Sequence, residues 1–145
     1  MEIQHTHGDA DVTSTSTIML WTGRILSALV ILFLLFDGTI KVMELDVATR
    51  TTVQLGYPES VVFGIGVLTL AIAALYAIPR TSVLGAIFLT GLLGGAIATH
   101  LRVGSPIFTH MLFGLYLGLA AWGGPLLRDD RLRAMILPWD ARRRA

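Results

Sequence analysis

An all-α integral membrane protein is predicted from this sequence: an up-and-down four-transmembrane-helix bundle with a short interfacial C-terminal helix. Three observations carry that fold class. Four apolar stretches, at about residues 18–43, 61–78, 83–101 and 107–126, fill most of the chain. Each is long enough to cross ~30 Å of hydrocarbon at ~1.5 Å per residue. The composition is 54% hydrophobic and 14% charged, where a soluble domain carries about 25% charged residues. Nearly every ionisable residue near the stretches sits at an end of one, and mean hydropathy is +0.70.

The 145 residues leave room for four spans, short loops and two tails. One domain follows: a polar tail over 1–17, a helical membrane domain over 18–138 and a basic tail over 139–145. The absence of cysteine excludes disulfides, thiol redox chemistry and cysteine-ligated iron–sulfur clusters in this chain.

The tail is rich in Ser and Thr and lacks periodicity, so it is expected to be irregular, with Ser14 or Ser16 capping the first helix. His5 and His7 read as solvated side chains. The first apolar run follows acidic residues, exceeds a signal-peptide core and lacks a small-x-small cleavage pattern, so it reads as a retained helix. In the link 44–60, Leu45, Val47, Ala48, Val53 and Leu55 alternate with Asp46, Thr49, Arg50 and Gln54. That pattern suits a short helix lying along the interface. It ends at Gly56-Tyr57-Pro58, where glycine permits a left-handed cap and proline forbids continuation. Glu59 or Ser60 then opens the second span. Pro79 ends that span, and Thr81 and Ser82 are expected to cap the third. Ser105 and Pro106 suit the N-cap and first turn of the fourth. Residues 127–137 carry Arg128, Asp129, Asp130, Arg131 and Arg133 and read as a surface-lying helix whose arginines meet anionic headgroups.

With four spans, both termini share a side with the 79–82 turn. That side collects eight of the eleven basic residues, and Trp21, Trp122 and Trp139 map to the same interface. The positive-inside rule therefore places both termini in the cytoplasm.

Close helix packing in lipid needs small residues. Gly91/Gly95 with Thr99, Gly114/Gly118, Ala120/Gly124, Gly64 with Gly66, and Gly23/Ser27 supply ridges, either for packing within the chain or for an oligomer or partner.

Charge near hydrocarbon is costly and calls for a reason. Asp37 and Lys41 stand at i, i+4 in the first span, His100 and Arg102 end the third, and His110 lies one turn into the fourth. The up-and-down topology brings all five to the outer third of the bundle, with Thr99 and Tyr116 extending the group inward. Such a cluster is either a network that sets helix register or a ligand pocket opening outward. Zinc on Asp37, His100 and His110 lacks tight ligand spacing, and bis-histidine haem has only two histidines to draw on. No metal is assigned. No nucleophile–base pair, phosphate loop or nucleic-acid signature is present.

Several segments resemble the DoxX-like family of small bacterial membrane proteins. They are Ile78-Pro79-Arg80-Thr81-Ser82-Val83-Leu84-Gly85-Ala86, Gly94-Gly95-Ala96-Ile97-Ala98-Thr99-His100-Leu101-Arg102-Val103-Gly104, and Pro106-Ile107-Phe108-Thr109-His110. Leu127-Arg128-Asp129-Asp130-Arg131-Leu132-Arg133 and Phe36-Asp37-Gly38-x-x-Lys41 are similar too, so the resemblance spans about residues 25–138. It implies a four-helix bacterial membrane bundle. Through the founding members it implies a link to thiosulfate:quinone oxidoreduction, and relatives act as membrane partners of redox and thiol-stress enzymes. Many members carry an acid in the second span where this chain has Val67-Leu68-Thr69, and Ser105 stands where an aspartate is usual. No catalytic residue is carried over.

The expected function is that of a multi-pass inner-membrane protein serving as a non-catalytic subunit or partner. Its outer-end pocket (Asp37, Lys41, Thr99, His100, Arg102, His110, Tyr116) takes a quinone or other lipid-soluble molecule. The alternatives are a membrane subunit of a quinone-coupled oxidoreductase with its cofactor in a partner chain, and a small-solute or proton carrier. No cofactor is expected in the chain itself beyond a bound quinone or lipid. Expected partners are the bilayer and a homo-oligomer or redox protein on the Gly91/Gly95 or Gly114/Gly118 face, with no nucleic acid.

Overall fold

The computed structural model of the chain describes residues 7–106 and 112–136, with side chains described from residue 17 onward. Within these residues six α-helices succeed one another: α1 (His7–Val42), α2 (Asp46–Gln54), α3 (Val62–Ala77), α4 (Ser82–Arg102), α5 (Leu112–Arg128) and α6 (Asp130–Ile136). A 3-10 turn at Glu59–Val61 leads into α3.

The first helix starts at His7, well inside the segment expected to be irregular, so neither Ser14 nor Ser16 caps it. Once the apolar run has nucleated a helix, extension costs little, and no proline interrupts 7–17.

Among the described residues, three helical segments are long and apolar enough to cross a membrane: Thr17–Val42, Glu59–Ala77 and Ser82–Arg102. α5 has 17 described residues, about 26 Å at the usual helical rise. Its expected start at Ser105–Pro106 adjoins residues 107–111, which lie outside the described residues.

Four long helices close into a ring of neighbours. α1 packs on α3 and α5, and α4 packs on the same two, so α1 faces α4 only across the diagonal. Neighbours run antiparallel. A side chain placed on Gly38 would meet Leu70, and one on Gly66 would meet Val42. Along the other seam, Gly23 lies against Gly124, and Phe33 makes an edge-to-face contact with Phe113 at 5.0 Å.

Exposure on α1 separates two stripes. Gly23, Ser27, Val30, Leu34 and Gly38 point inward and are buried. Ile18, Trp21, Ile25, Leu29, Leu32 and Phe36 point outward and are exposed, Phe36 to 65%. Small residues inside and bulky apolar ones outside is the arrangement for a helix whose outer solvent is lipid. The core between the helices is Val30, Leu34, Ile72, Ala73, Tyr76, Ala86, Leu89, Leu117 and Ala121.

Some expected small-residue ridges pack as read, and others do not. Gly23, Ser27 and Gly124 form the α1–α5 crossing. Gly114 and Gly118 pack within the chain against Ile97 and Leu93 of α4. Gly64, Gly91, Gly94 and Gly95 face open space. The α3–α4 crossing uses Gly85, where an added Cβ would lie 2.5 Å from the Tyr76 backbone. Only glycine lets α3 and α4 approach that closely.

The turn after α3 also differs from expectation. Thr81 and Ser82 cap no N–H of α4. The Thr81 hydroxyl donates instead to the Leu75 carbonyl at 2.7 Å, and Ser82 donates to the Pro79 carbonyl at 3.2 Å. These hydroxyls satisfy carbonyls around the α3 terminus, which apolar surroundings would otherwise leave bare.

Candidate functional site

The C-terminal ends of α1, α2 and α4 share one construction. In each, the second residue past the last helical one has positive φ, and its N–H and that of the following residue fold back onto carbonyls of the final turn. Gly56 (φ +86) and Gly104 (φ +68) serve α2 and α4, whereas α1 uses Glu44 at φ +48. The bonds Gly56 N–H to Val53 and Tyr57 N–H to Thr52 close α2, and Gly104 to Leu101 with Ser105 to His100 close α4. Glu44 to Lys41 and Leu45 to Ile40 do the same for α1. These are Schellman caps, which hold the polar residues of the last turns in place.

Within the final turns of α1, Lys41 Nζ donates to Asp37 Oδ1 in a close ion pair whose side chains are 19% and 28% exposed. The acid precedes the base by four residues, the favourable order along a helix. Packing holds the pair from behind. A Cβ on Gly66 of α3 would fall 2.8 Å from Lys41 Cβ, so the lysine stem lies directly on the α3 backbone.

On α4, the buried Thr99 hydroxyl donates to the Gly95 carbonyl at 2.9 Å and therefore accepts from Tyr57, 2.9 Å away. His100 Nδ1 pairs with Ser105 Oγ at 3.1 Å, fastening the cap onto the helix end. The exposed Arg102 donates to the Leu55 carbonyl at 2.9 Å and lies against Gly56. It thus caps α2 with a cation at the negative end of that helix.

Of the predicted residues, Asp37, Lys41, Thr99, His100 and Arg102 share one end of the molecule, distributed over separate contacts. Asp37 and Lys41 form one unit, Thr99 with Tyr57 a second, His100 with Ser105 a third. No described contact joins Asp37 or Lys41 to Arg102, because α1 and α4 are diagonal and the Arg102 guanidinium is drawn to the α2 terminus. Tyr116 is 61% exposed and so points outward rather than inward. His110 lies outside the described residues. Among the described residues no three His, Cys, Asp or Glu side chains come together as metal ligands would.

Two features escaped the sequence reading. Tyr57 is the partner of Thr99, and its place in the link beside Pro58 gave no hint of that. The other lies at the opposite end. Pro125 sits inside α5 and removes the N–H that would have reached the Ala121 carbonyl. The buried Tyr76 hydroxyl of α3 donates to that carbonyl at 2.8 Å, and Ser27 of α1 lies 3.3 Å from the same hydroxyl. A proline inside an apolar run was the available signal, since its i−4 carbonyl needs a donor from elsewhere in a membrane.

A sequence profile described as the DoxX-like family matches residues 25–124. Comparisons with curated proteins and with solved structures each yield no significant match.

Proposed function

Since the chain belongs to the DoxX-like family and its helices make it a membrane protein, we propose that it is a four-span, non-catalytic membrane subunit. Its outer end, in this reading, receives a quinone or another lipid-soluble molecule. The fourth span in this reading contains α5, and the arginines about the 79–82 turn and in the C-terminal sequence support an inner-membrane orientation with both termini in the cytoplasm.

The observation that carries the ligand reading is the half-buried Asp37–Lys41 pair at the end of an apolar helix. An ion pair there costs desolvation that packing alone does not demand, and intramembrane charge is a marker of function. Its chemistry fits a carbonyl-bearing ligand: the ammonium donates to the carbonyl oxygen, and the surrounding apolar faces hold the ring. His100 and the Tyr57–Thr99 pair lie at the same end as further polar groups.

The test is titration of the detergent-purified full chain with a short-chain ubiquinone analogue, followed by thermal shift and by quinone analysis of the lipid extract. Saturable stabilisation is expected, weakened at least ten-fold in D37N and K41M proteins that keep their unliganded melting temperature within a few degrees. Binding unaffected by either substitution, or no binding at all, sinks the reading. Loss of folding in both assigns the pair to helix register.

A further inference from the structure

We propose that the end of the molecule opposite Asp37 carries a binding site for an anionic phospholipid, built at the corner of α1, α5 and α6 from Arg24, Arg128 and Arg131.

The charge there is lopsided and largely uncompensated. Among the residues whose side chains are described, five arginines at this end (Arg24, Arg80, Arg128, Arg131 and Arg133) stand with two acids, Asp129 and Asp130. Arg133 is engaged internally: its guanidinium donates to the Leu126 and Leu127 carbonyls and pairs with Asp130 at 3.1 Å. Asp129 is occupied too, its Oδ1 accepting from the N–H groups of Arg131 at 2.9 Å and Leu132 at 3.2 Å as the cap of α6. The acids of the corner therefore serve α6, and Arg24, Arg128 and Arg131 have no carboxylate partner among the described residues.

Chain geometry brings these cations to one end of the molecule: Arg128 lies over the α1–α5 crossing, and Arg131 follows three residues on in α6, which packs on α5. The Arg128 stem crosses Gly23, where an added Cβ would lie 2.9 Å from its Cγ, and its Nε donates to the Gly124 carbonyl. Arg24 is the next residue on α1 and stands over the Trp21 ring at 5.4 Å. Arg131 is exposed in the first turn of α6. Below this corner run the exposed Trp21, Ile25 and Leu29 of α1. The ligand that fits both parts has a phosphodiester for the guanidiniums and acyl chains for the apolar stripe. A free phosphate would use the first part alone.

Native mass spectrometry of the full chain in detergent tests this with phosphatidylglycerol, phosphatidylcholine of the same acyl chains, and inorganic phosphate. Phosphatidylglycerol adducts should survive where phosphatidylcholine adducts do not. R24Q and R131Q should each weaken them roughly five-fold, R24K should restore most of the loss, and R50Q at the other end should change nothing. Both arginines are exposed, so gel filtration should be unaltered. Equal retention of the two lipids, equal loss in R50Q, or displacement by millimolar phosphate would each overturn the proposal.

Discussion

Glu44 occupies a position that glycine fills in the two sister caps. Its φ of +48 places a Cβ in the left-handed region, at a cost of about 1 kcal/mol. E44G should therefore raise stability by about that amount, despite glycine's greater freedom when unfolded, and G56A and G104A should lower it. Denaturant or thermal unfolding in a fixed detergent checks all three. Tyr76 invites a sharper test. Y76F leaves the Ala121 carbonyl bare and should cost about 1–3 kcal/mol. Restoring the helical donor with P125A should make the hydroxyl dispensable, so Y76F should cost markedly less in that background. Equal costs in both backgrounds would mean that the tyrosine contributes through packing rather than by replacing the lost N–H.

Crossings between helices separate glycines that look alike in the sequence. Gly66 and Gly85 lie under the backbones of α1 and α3, and no flexible side chain can yield to an added methyl. G66A and G85A should each cost about 2 kcal/mol or more, since overpacking of this kind moves whole helices. Gly91, Gly94 and Gly95 meet nothing within 4 Å, so alanine there should be neutral or slightly stabilising through its better helix propensity. Bulky substitutions on this face, such as G91L with G95L, would leave the fold intact. If they also shift the oligomeric state, the face is a contact between copies.

Across the whole molecule, the proposed orientation rests on the placement of arginine, and the absence of cysteine makes it simple to test. R50C should react with a membrane-impermeant maleimide in intact cells, and R80C only after permeabilisation. The reverse pattern would invert the topology and move the Asp37 end to the cytoplasm.

Much of this was legible in one dimension. The apolar lengths announce membrane-crossing helices, Pro79 announces the end of α3 and the Gly56–Pro58 segment that of α2, and the Asp37–Lys41 pair follows from helical spacing alone, because i and i+4 are neighbours in any α-helix. Local geometry is enough for each of these. Which face of each helix turns inward was not legible, because a helix that is apolar all round gives no amphipathic signal. Contacts far apart along the chain settled it: Gly85 rather than Gly91 at a crossing, Gly114 covered by Ile97, Tyr76 reaching Ala121. The same long-range packing set α1 diagonal to α4, and that distance keeps Arg102 on the α2 terminus instead of beside Asp37.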